Sequence, residues 1–394
     1  MLIKRIFKAS WFVFKFTFRQ FVAPVAPSVT EALPVGGLLL FLEAMKPNKR
    51  LILFLVFSVL GISFTYYAFQ IVYTPNILVG VEAESRVLII PDGATFKDVQ
   101  KKVREGHFVN DLMSFSFMAR IMGYDEAIKP GRYVLRKNMT NLQLVRVLKS
   151  GKQEPVRVTF NNVRLTRDLS EKITKNLGMK PEEFEAGLVQ YTMQNRDGFN
   201  KDNVMALFIP NTYEVYYNVS AEELIERMAT EYKSFWTEER KAKAVKLGLS
   251  PIEVSVLASI VQAETIKADE APIIAGLYLN RLKSGMPLQA DPTLVYAVGD
   301  FSLKRVLNEH KLIDSRYNTY KYAGLPPGPI NLPEIRSLDA VLNHVPSDYI
   351  YMCAKEDFSG YHNFTHNYAE HMRNATKYQT ALTREQRKGA LLKR

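Results

Sequence analysis

The segment SPIEVSVLASIVQAET, residues 250–265, carries a carboxylate where an amphipathic helix would place an apolar side chain. Glu264 follows Leu257, Ile260 and Val261 at i, i+3, i+4 and i+7, one face of an α-helix. A carboxyl group that continues an apolar stripe faces low dielectric. Burial there disfavours its charged form and raises its pKa toward the range a general acid needs near neutral pH. The same spacing also suits a helix end that turns out to solvent and leaves Glu264 exposed. Downstream, Asp291-Pro292 in MPLQADPTLVYAVG reads as the start of a short helix with the aspartate as its cap. The polar-aromatic run SRYNTY, residues 315–320, leads into AGLPPGPI, residues 323–330. Loops of this length inside compact domains are functional or disordered. Aromatic faces beside amides and hydroxyls suit pyranose rings, whose C–H faces stack while their hydroxyls form hydrogen bonds.

Other chemistries lack their signatures. His362 and His366 are four apart but lie in GYHNFTHNY, which reads as strand and turn, and no HExxH is present, so no metal site is expected. Neither a GxSxG nucleophile elbow nor a GxxxxGK[ST] phosphate loop occurs, and no cofactor is expected. The single cysteine, Cys353, excludes an intramolecular disulfide framework.

The elements that must position Glu264 are legible. Ser250 as cap, Pro251 at the first helical position and Glu253 reaching back form a strong helix start. A second helix opens at Asp269 and ends at Gly285. Upstream, residues 80–151 read as a small α/β module with strands at 86–91 and 131–135. Its helices are capped by Thr95 with Asp98, run from Asn110 to about Met122, and lie between Thr140 and Gly151. A strand over 155–160 and two helices follow, the first opened by Thr166.

At 394 residues, 47% hydrophobic and 23% charged, the chain is an ordinary globular one with more than one folded unit. Its net charge of +12 sits mainly at the ends: +6 in residues 1–50 and +4 from Ala381 onward, leaving only +2 between. A phosphate-binding surface would put that excess within a folded domain, so no nucleic-acid partner is expected. Residues 51–73 (LILFLVFSVLGISFTYYAFQIVY) are uncharged and nearly continuously apolar, long enough to cross a bilayer. Lys46, Lys49 and Arg50 precede the run, and Glu82 and Glu84 follow it. The positive-inside asymmetry therefore places the N-terminus in the cytoplasm and the remainder outside. The first 44 residues are too broken to span; MKPNKR at Met45 would serve equally well as a start.

At ASIVQAET, LQADPTLVYAVG, SRYNTYKYAGLPPGPI and YHNFTHN the chain resembles the YceG-like (MltG) family of endolytic murein transglycosylases. The resemblance runs over roughly 80–380 and is densest in 250–367. It implies an α+β chain with a single N-terminal transmembrane helix, a LysM-like α/β subdomain, and a mixed, mainly helical catalytic domain with short strands. The corresponding segments are a cytoplasmic piece (1–50), the membrane helix (51–73), the LysM-like subdomain (80–151), a connecting α/β region (152–249), the catalytic core (250–380) and a basic tail (381–394). The family motif IVEKET appears as IVQAET, so the catalytic glutamate before threonine is Glu264, and Gln262 replaces the earlier glutamate. The family's FxPDTY segment appears as FIPNTY, with Asn211 for aspartate. By motif, Gln289, Asp291, Tyr317, Asn318, Thr319, Leu325, Pro326 and Pro327 would line a glycan groove.

The implied reaction is cleavage of the β-1,4 bond between N-acetylmuramic acid and N-acetylglucosamine within a strand, leaving 1,6-anhydro ends, with Glu264 as acid and then base. Implied partners are peptidoglycan strands, the bacterial cytoplasmic membrane, and cell-wall synthases or division proteins. Two other readings stay open: a muramidase-type hydrolase that adds Asp291 as second carboxylate, and a non-catalytic glycan-binding scaffold.

Overall fold

A computed structural model describes residues 49–391 apart from Val81 and Lys304; the expectations for residues 1–48, including the Met45 start, lie outside it. The chain divides into two units, Met1–Gln70 and Ile71–Arg394. Within it, helix α1 (Lys49–Tyr73) is 25 residues long, about 38 Å at 1.5 Å per residue, and apolar enough to cross a membrane. Phe54, Phe57, Ile62 and Phe64 along it are more than half exposed, as side chains facing lipid would be.

The chain is a mixed α+β protein, mainly helical, with a few short strands. In the first part, β1 (Ser85–Ile90) pairs antiparallel with β2 (Gly131–Arg136), from Ser85 opposite Arg136 to Ile90 opposite Gly131. The alternating residues Leu88 and Ile90 of β1 point into a core with Tyr133 and Leu135 of β2. Helices α2 (Phe96–Glu105), α3 (Leu112–Ile121) and α4 (Asn141–Ser150) close that core. The Thr95–Asp98 and Thr140–Gln143 capping boxes are formed, and Gly151 ends α4 at φ 73°, a left-handed position that favours glycine. Helix α3 begins two residues after Asn110, because the Asp111 carboxylate accepts from Met113 N and takes the cap.

The second part shares one continuous core from Val156 to Leu342. Strand β3 (Val156–Thr159) pairs antiparallel with β4 (Thr212–Val215). Around them run α5 (Thr166–Thr174), α6 (Pro181–Gln194), α7 (Ala221–Phe235) and α8 (Glu238–Lys246). The central element is α9 (Pro251–Glu264), packed against α8, α10 (Ala271–Lys283), α11 (Asp291–Val298) and α12 (Ile335–Leu342). The hairpin β5 (Tyr351–Ala354) and β6 (His362–Thr365) leads into α13 (Tyr368–Leu391).

Two expectations shift here. The apolar stripe on α9 is wider than one face: Val254 to Val261 are all buried, Ser255 and Ser259 included, so this is a core helix enclosed on every side. The helix expected from Asp269 starts at Ala271, because residues 268–270 form a turn and the Glu270 side chain bonds away from the helix end.

Candidate active site

The Ser250 hydroxyl accepts from Glu253 N at 3.2 Å while the Glu253 carboxylate accepts from Ser250 N at 2.7 Å, so α9 starts where the capping box puts it. It stops at Glu264 because Thr265 is extended, at φ −143° and ψ 144°. The Thr265 hydroxyl donates to Glu270 Oε2 at 3.0 Å and accepts from Lys267 N at 3.0 Å, fixing the turn that follows. Glu264 therefore ends a buried helix, half-buried itself. From α10, the buried Tyr278 hydroxyl donates to its Oε1 at 2.8 Å. Burial drives the Glu264 carboxyl up to about 7, and the negative charge of Asp291 acts in the same direction; the Tyr278 hydrogen bond and the Arg281 cation oppose it. The negative end of the helix dipole also disfavours a carboxylate at this position. The result is an acid that holds its proton to neutral pH, next to a donor and a cation ready to receive the anion.

That cation is itself unusual. Arg281 is 8% exposed, and its hydrogen bonds go to backbone carbonyls: Nε to Ile350 at 2.6 Å, and Nη1 to Leu288 at 2.7 Å and Pro287 at 3.2 Å. It sits one helical turn from Tyr278, so α10 delivers both groups to Glu264. Burial and the neighbouring Glu264 charge push the Tyr278 hydroxyl well above its usual range, so it is a donor near neutral pH.

Asp291 is the first residue of α11 and not its cap, contrary to the reading of Asp291-Pro292. Ala290 occupies the cap position, its N–H held by Thr319 Oγ1 at 3.1 Å, and Gln289 before it is in the left-handed region at φ 51° with its N–H on Thr319 O at 3.0 Å. Freed from capping, the exposed Asp291 carboxylate accepts from the Tyr320 hydroxyl at 2.6 Å.

Asn318 and Thr319, expected to face a glycan, are fully buried. Asn318 donates to Lys311 O and Ile313 O, both at 2.9 Å, and accepts from Tyr320 N and Lys321 N. The Thr319 hydroxyl is shared with Thr293 at 2.8 Å. They hold the loop and thereby place Gln289, Asp291 and Tyr320. Tyr317 packs against Tyr296, ring centroids 4.7 Å apart and the rings tilted by 44°. Leu325, Pro326 and Pro327 line a cleft of about 1050 Å³ with Leu249 and Ile252, at the start of α9. Twelve residues of helix separate Ile252 from Glu264, about 18 Å. Glu264, Gln289 and Asp291 are absent from that lining.

With this geometry in view, comparison with known proteins decides the family. The model of the YceG-like family matches residues 88–377, about three quarters of the sequence. The chain belongs to the YceG-like family. Similar curated proteins include one named endolytic murein transglycosylase from Streptococcus pneumoniae strain R6, 27% identical over 361 residues and covering 82% of this chain. Another of that name from Bacillus subtilis strain 168 is 28% identical over 325 residues, covering 78% of this chain and 89% of its own length. The chain spans 64% of the length of the Streptococcus pneumoniae relatives. A solved YceG-like protein from Listeria monocytogenes is 27% identical with a TM-score of 0.47, over 74% of this chain and 99% of that one.

Several polar residues of this YceG-like chain escaped the sequence reading. Besides Tyr278 and Arg281, the buried Glu270 accepts from His362 N at 2.6 Å and pairs with His362 Nδ1 at 3.0 Å, tying the turn after Glu264 to β6. All its oxygens are engaged, so it is a strut and not a second acid. Gln262 donates to Asn331 and Leu332 and accepts from Glu334 N and Ser337, four bonds that clamp α9 to the segment before α12. The only signal for these roles was polar residues amid apolar helix, at Gln262 in IVQAE and Arg281 in LYLNRL.

Proposed function

We propose that this protein is a membrane-anchored endolytic lytic transglycosylase, which cuts the MurNAc-β-1,4-GlcNAc bond inside glycan strands and leaves 1,6-anhydroMurNAc ends. The observation that carries this reading is the Glu264 carboxyl, raised to about 7 at the end of a buried helix with Tyr278 donating to it. The names of the relatives support the same substrate class.

Protonated Glu264 donates to the glycosidic oxygen as positive charge develops at the muramyl C1. The carboxylate left behind is stabilised by the Tyr278 hydroxyl and the Arg281 charge. It then takes the proton of the muramyl C6 hydroxyl, whose oxygen closes on C1. One carboxyl group serves both steps, and water is not consumed. Helix α1 anchors the chain in the cytoplasmic membrane, residues 80–151 act as a LysM-like glycan-binding module, and the catalytic part works on the outer side, where cell-wall synthases and division proteins are available as partners. Tyr317 and Tyr320 offer ring faces for sugars, and Gln289 and Asp291 offer polar groups.

A hydrolase remains as a second reading because the Asp291 charge reaches Glu264. A muramidase needs a second carboxyl roughly 5–9.5 Å from the acid. Mass spectrometry of fragments released from peptidoglycan by the detergent-solubilised chain, beside its Glu264→Gln variant, separates these. Anhydro ends that disappear in the variant are expected. Reducing ends carrying solvent oxygen would replace the transglycosylase by the hydrolase, and binding without release would leave only a scaffold.

A further inference from the structure

A second cleft, remote in sequence from Glu264, opens where the β1–β2 module meets β3 and the end of α5. Its volume is about 600 Å³. The cross-strand partners Ile89 and Arg132 line it, as do Arg157 of β3 and Lys175 just past α5. Three cations line it and no carboxylate does. Arg157 Nε pairs with Glu214 at 3.3 Å, which leaves the outer nitrogens of its fork free for a second acceptor. Neither Arg132 nor Lys175 has an ion-pair partner among the described residues. The floor is apolar, with Leu177 and Val156 buried and the Tyr217 ring beside them.

Two cations without an ion-pair partner and a third paired through one nitrogen, over an apolar floor, select a ligand that carries both carboxylates and aliphatic groups. Guanidinium forks bind carboxylates in two parallel hydrogen bonds, and an apolar floor takes side-chain methyl and methylene groups, more of which a stem peptide offers than the acetyl and lactyl methyls of the glycan itself. A polyol phosphate would satisfy the cations but leave the floor empty. We propose that this cleft binds the carboxylate-bearing stem peptide of a glycan strand, so that the enzyme reads peptide substitution at a distance from the bond it cuts. The inference rests on the glycan-cleaving reading above. Because sugar and peptide belong to one molecule, occupancy of the cleft raises the effective concentration of the strand at Glu264.

The test compares the full-length chain in detergent with its Arg132→Gln/Lys175→Gln double variant on two substrates: glycan strands with intact stem peptides, and the same strands stripped of peptide by an amidase. The double variant is expected to lose about tenfold in kcat/KM on peptide-bearing strands, through KM, and to match the wild type on stripped strands. The wild-type preference should also weaken with added salt, as exposed charges are screened. Equal loss on both substrates, or none on either, would overturn the proposal. Binding of a fluorescent muramyl peptide is measured in parallel. Should the wild type cleave neither substrate, the catalytic reading fails; tight binding lost in the double variant would still support the cleft, and unchanged binding would overturn it. Competition by poly(glycerol phosphate) in place of the muramyl peptide would assign the cations to phosphate and overturn it too.

Discussion

Two regions of the Ile71–Arg394 unit bury polar side chains, and only one of them adds carboxyl and guanidinium groups. In the β1–β2 module the buried polar cluster is neutral. Asn76 Nδ2 donates to Asn141 Oδ1 at 2.7 Å, Asn141 donates to Ser114 at 3.0 Å and to Ile71 O at 3.1 Å, and Asp111 N returns to Asn76 Oδ1 at 2.8 Å. Around α9 neutral groups such as Ser255, Ser259 and Asn318 are buried too, but ionisable ones join them: Glu270, Tyr278 and Arg281 are buried and Glu264 is half-buried. A closed neutral network fixes geometry and is indifferent to pH. A network of charges costs stability that varies with pH, and that cost is what makes a carboxyl group reactive near neutrality.

The sharpest way to break this comparison is to remove the charge at Glu264. Its folded-state pKa of about 7 exceeds the ordinary 4.5, so the folded chain holds this proton after the unfolded chain has released it. The associated stability is fully present below pH 4.5 and is lost as pH rises to 7; above that the penalty is on the order of 3 kcal/mol. Glu264→Gln keeps an acceptor for Tyr278 and removes the penalty. It should unfold at a higher denaturant concentration than wild type at pH 8 and at the same one at pH 4.5. Equal stability at pH 8 would mean Glu264 is not held in low dielectric.

In the neutral network, Asn141→Ala strands Asn76 and Ser114 without touching any charge. The expected loss is about 2 kcal/mol, the cost of leaving buried donors and acceptors unpaired. Denaturant melts should show that loss unchanged between pH 5 and 8, with kcat as in wild type. A pH-dependent loss would show that the two regions are not separate in kind.

Much of the scaffold was legible because it is local. Ser250-Pro251-Ile252-Glu253, Thr95 with Asp98, and the Thr140 cap are motifs closed within four residues, and each formed. The uncharged run from Leu51 is a property of composition alone. Glu264 stood out because a carboxylate continued an apolar stripe. What the sequence hid depends on distant pairs: Arg281 is recognisable only once Ile350 and Leu288 present their carbonyls, and Glu270 only once His362 arrives across 92 residues. Asp291 shows the limit in miniature. Asp-Pro is a sound helix-start signal, yet Thr319, 29 residues away, holds the N–H of Ala290 and moves the cap by one residue.

Tyr278→Phe probes the donor without altering the charges. The hydrogen bond lowers the Glu264 pKa against the effect of burial, so its removal should raise it further. A general acid works while protonated, and the alkaline limb of kcat/KM should therefore move to higher pH, by roughly one unit for a hydrogen bond to a charged group. Below pH 6 the rate should fall, because the carboxylate formed on proton donation loses its donor. A pH profile that keeps its alkaline limb would show that Tyr278 does not act through Glu264.

The smallest expected effect discriminates most finely. Asp291→Asn retains an oxygen for the Tyr320 hydroxyl and removes only the negative charge that pushes Glu264 upward. Since Asp291 is exposed, solvent screens it, and an exposed charge contributes no more than about 1 kcal/mol, or about fivefold in rate. The alkaline limb should move slightly toward lower pH, with fragment ends unchanged. In the hydrolase, Asp291 would be nucleophile or base, and the same substitution would remove one of the two carboxyl groups on which the chemistry depends, for a loss of orders of magnitude. The neutral and charged regions differ in whether burial tunes a proton, and this variant asks how many carboxyl groups that tuning serves. A fivefold loss leaves one, and a thousandfold loss makes it two.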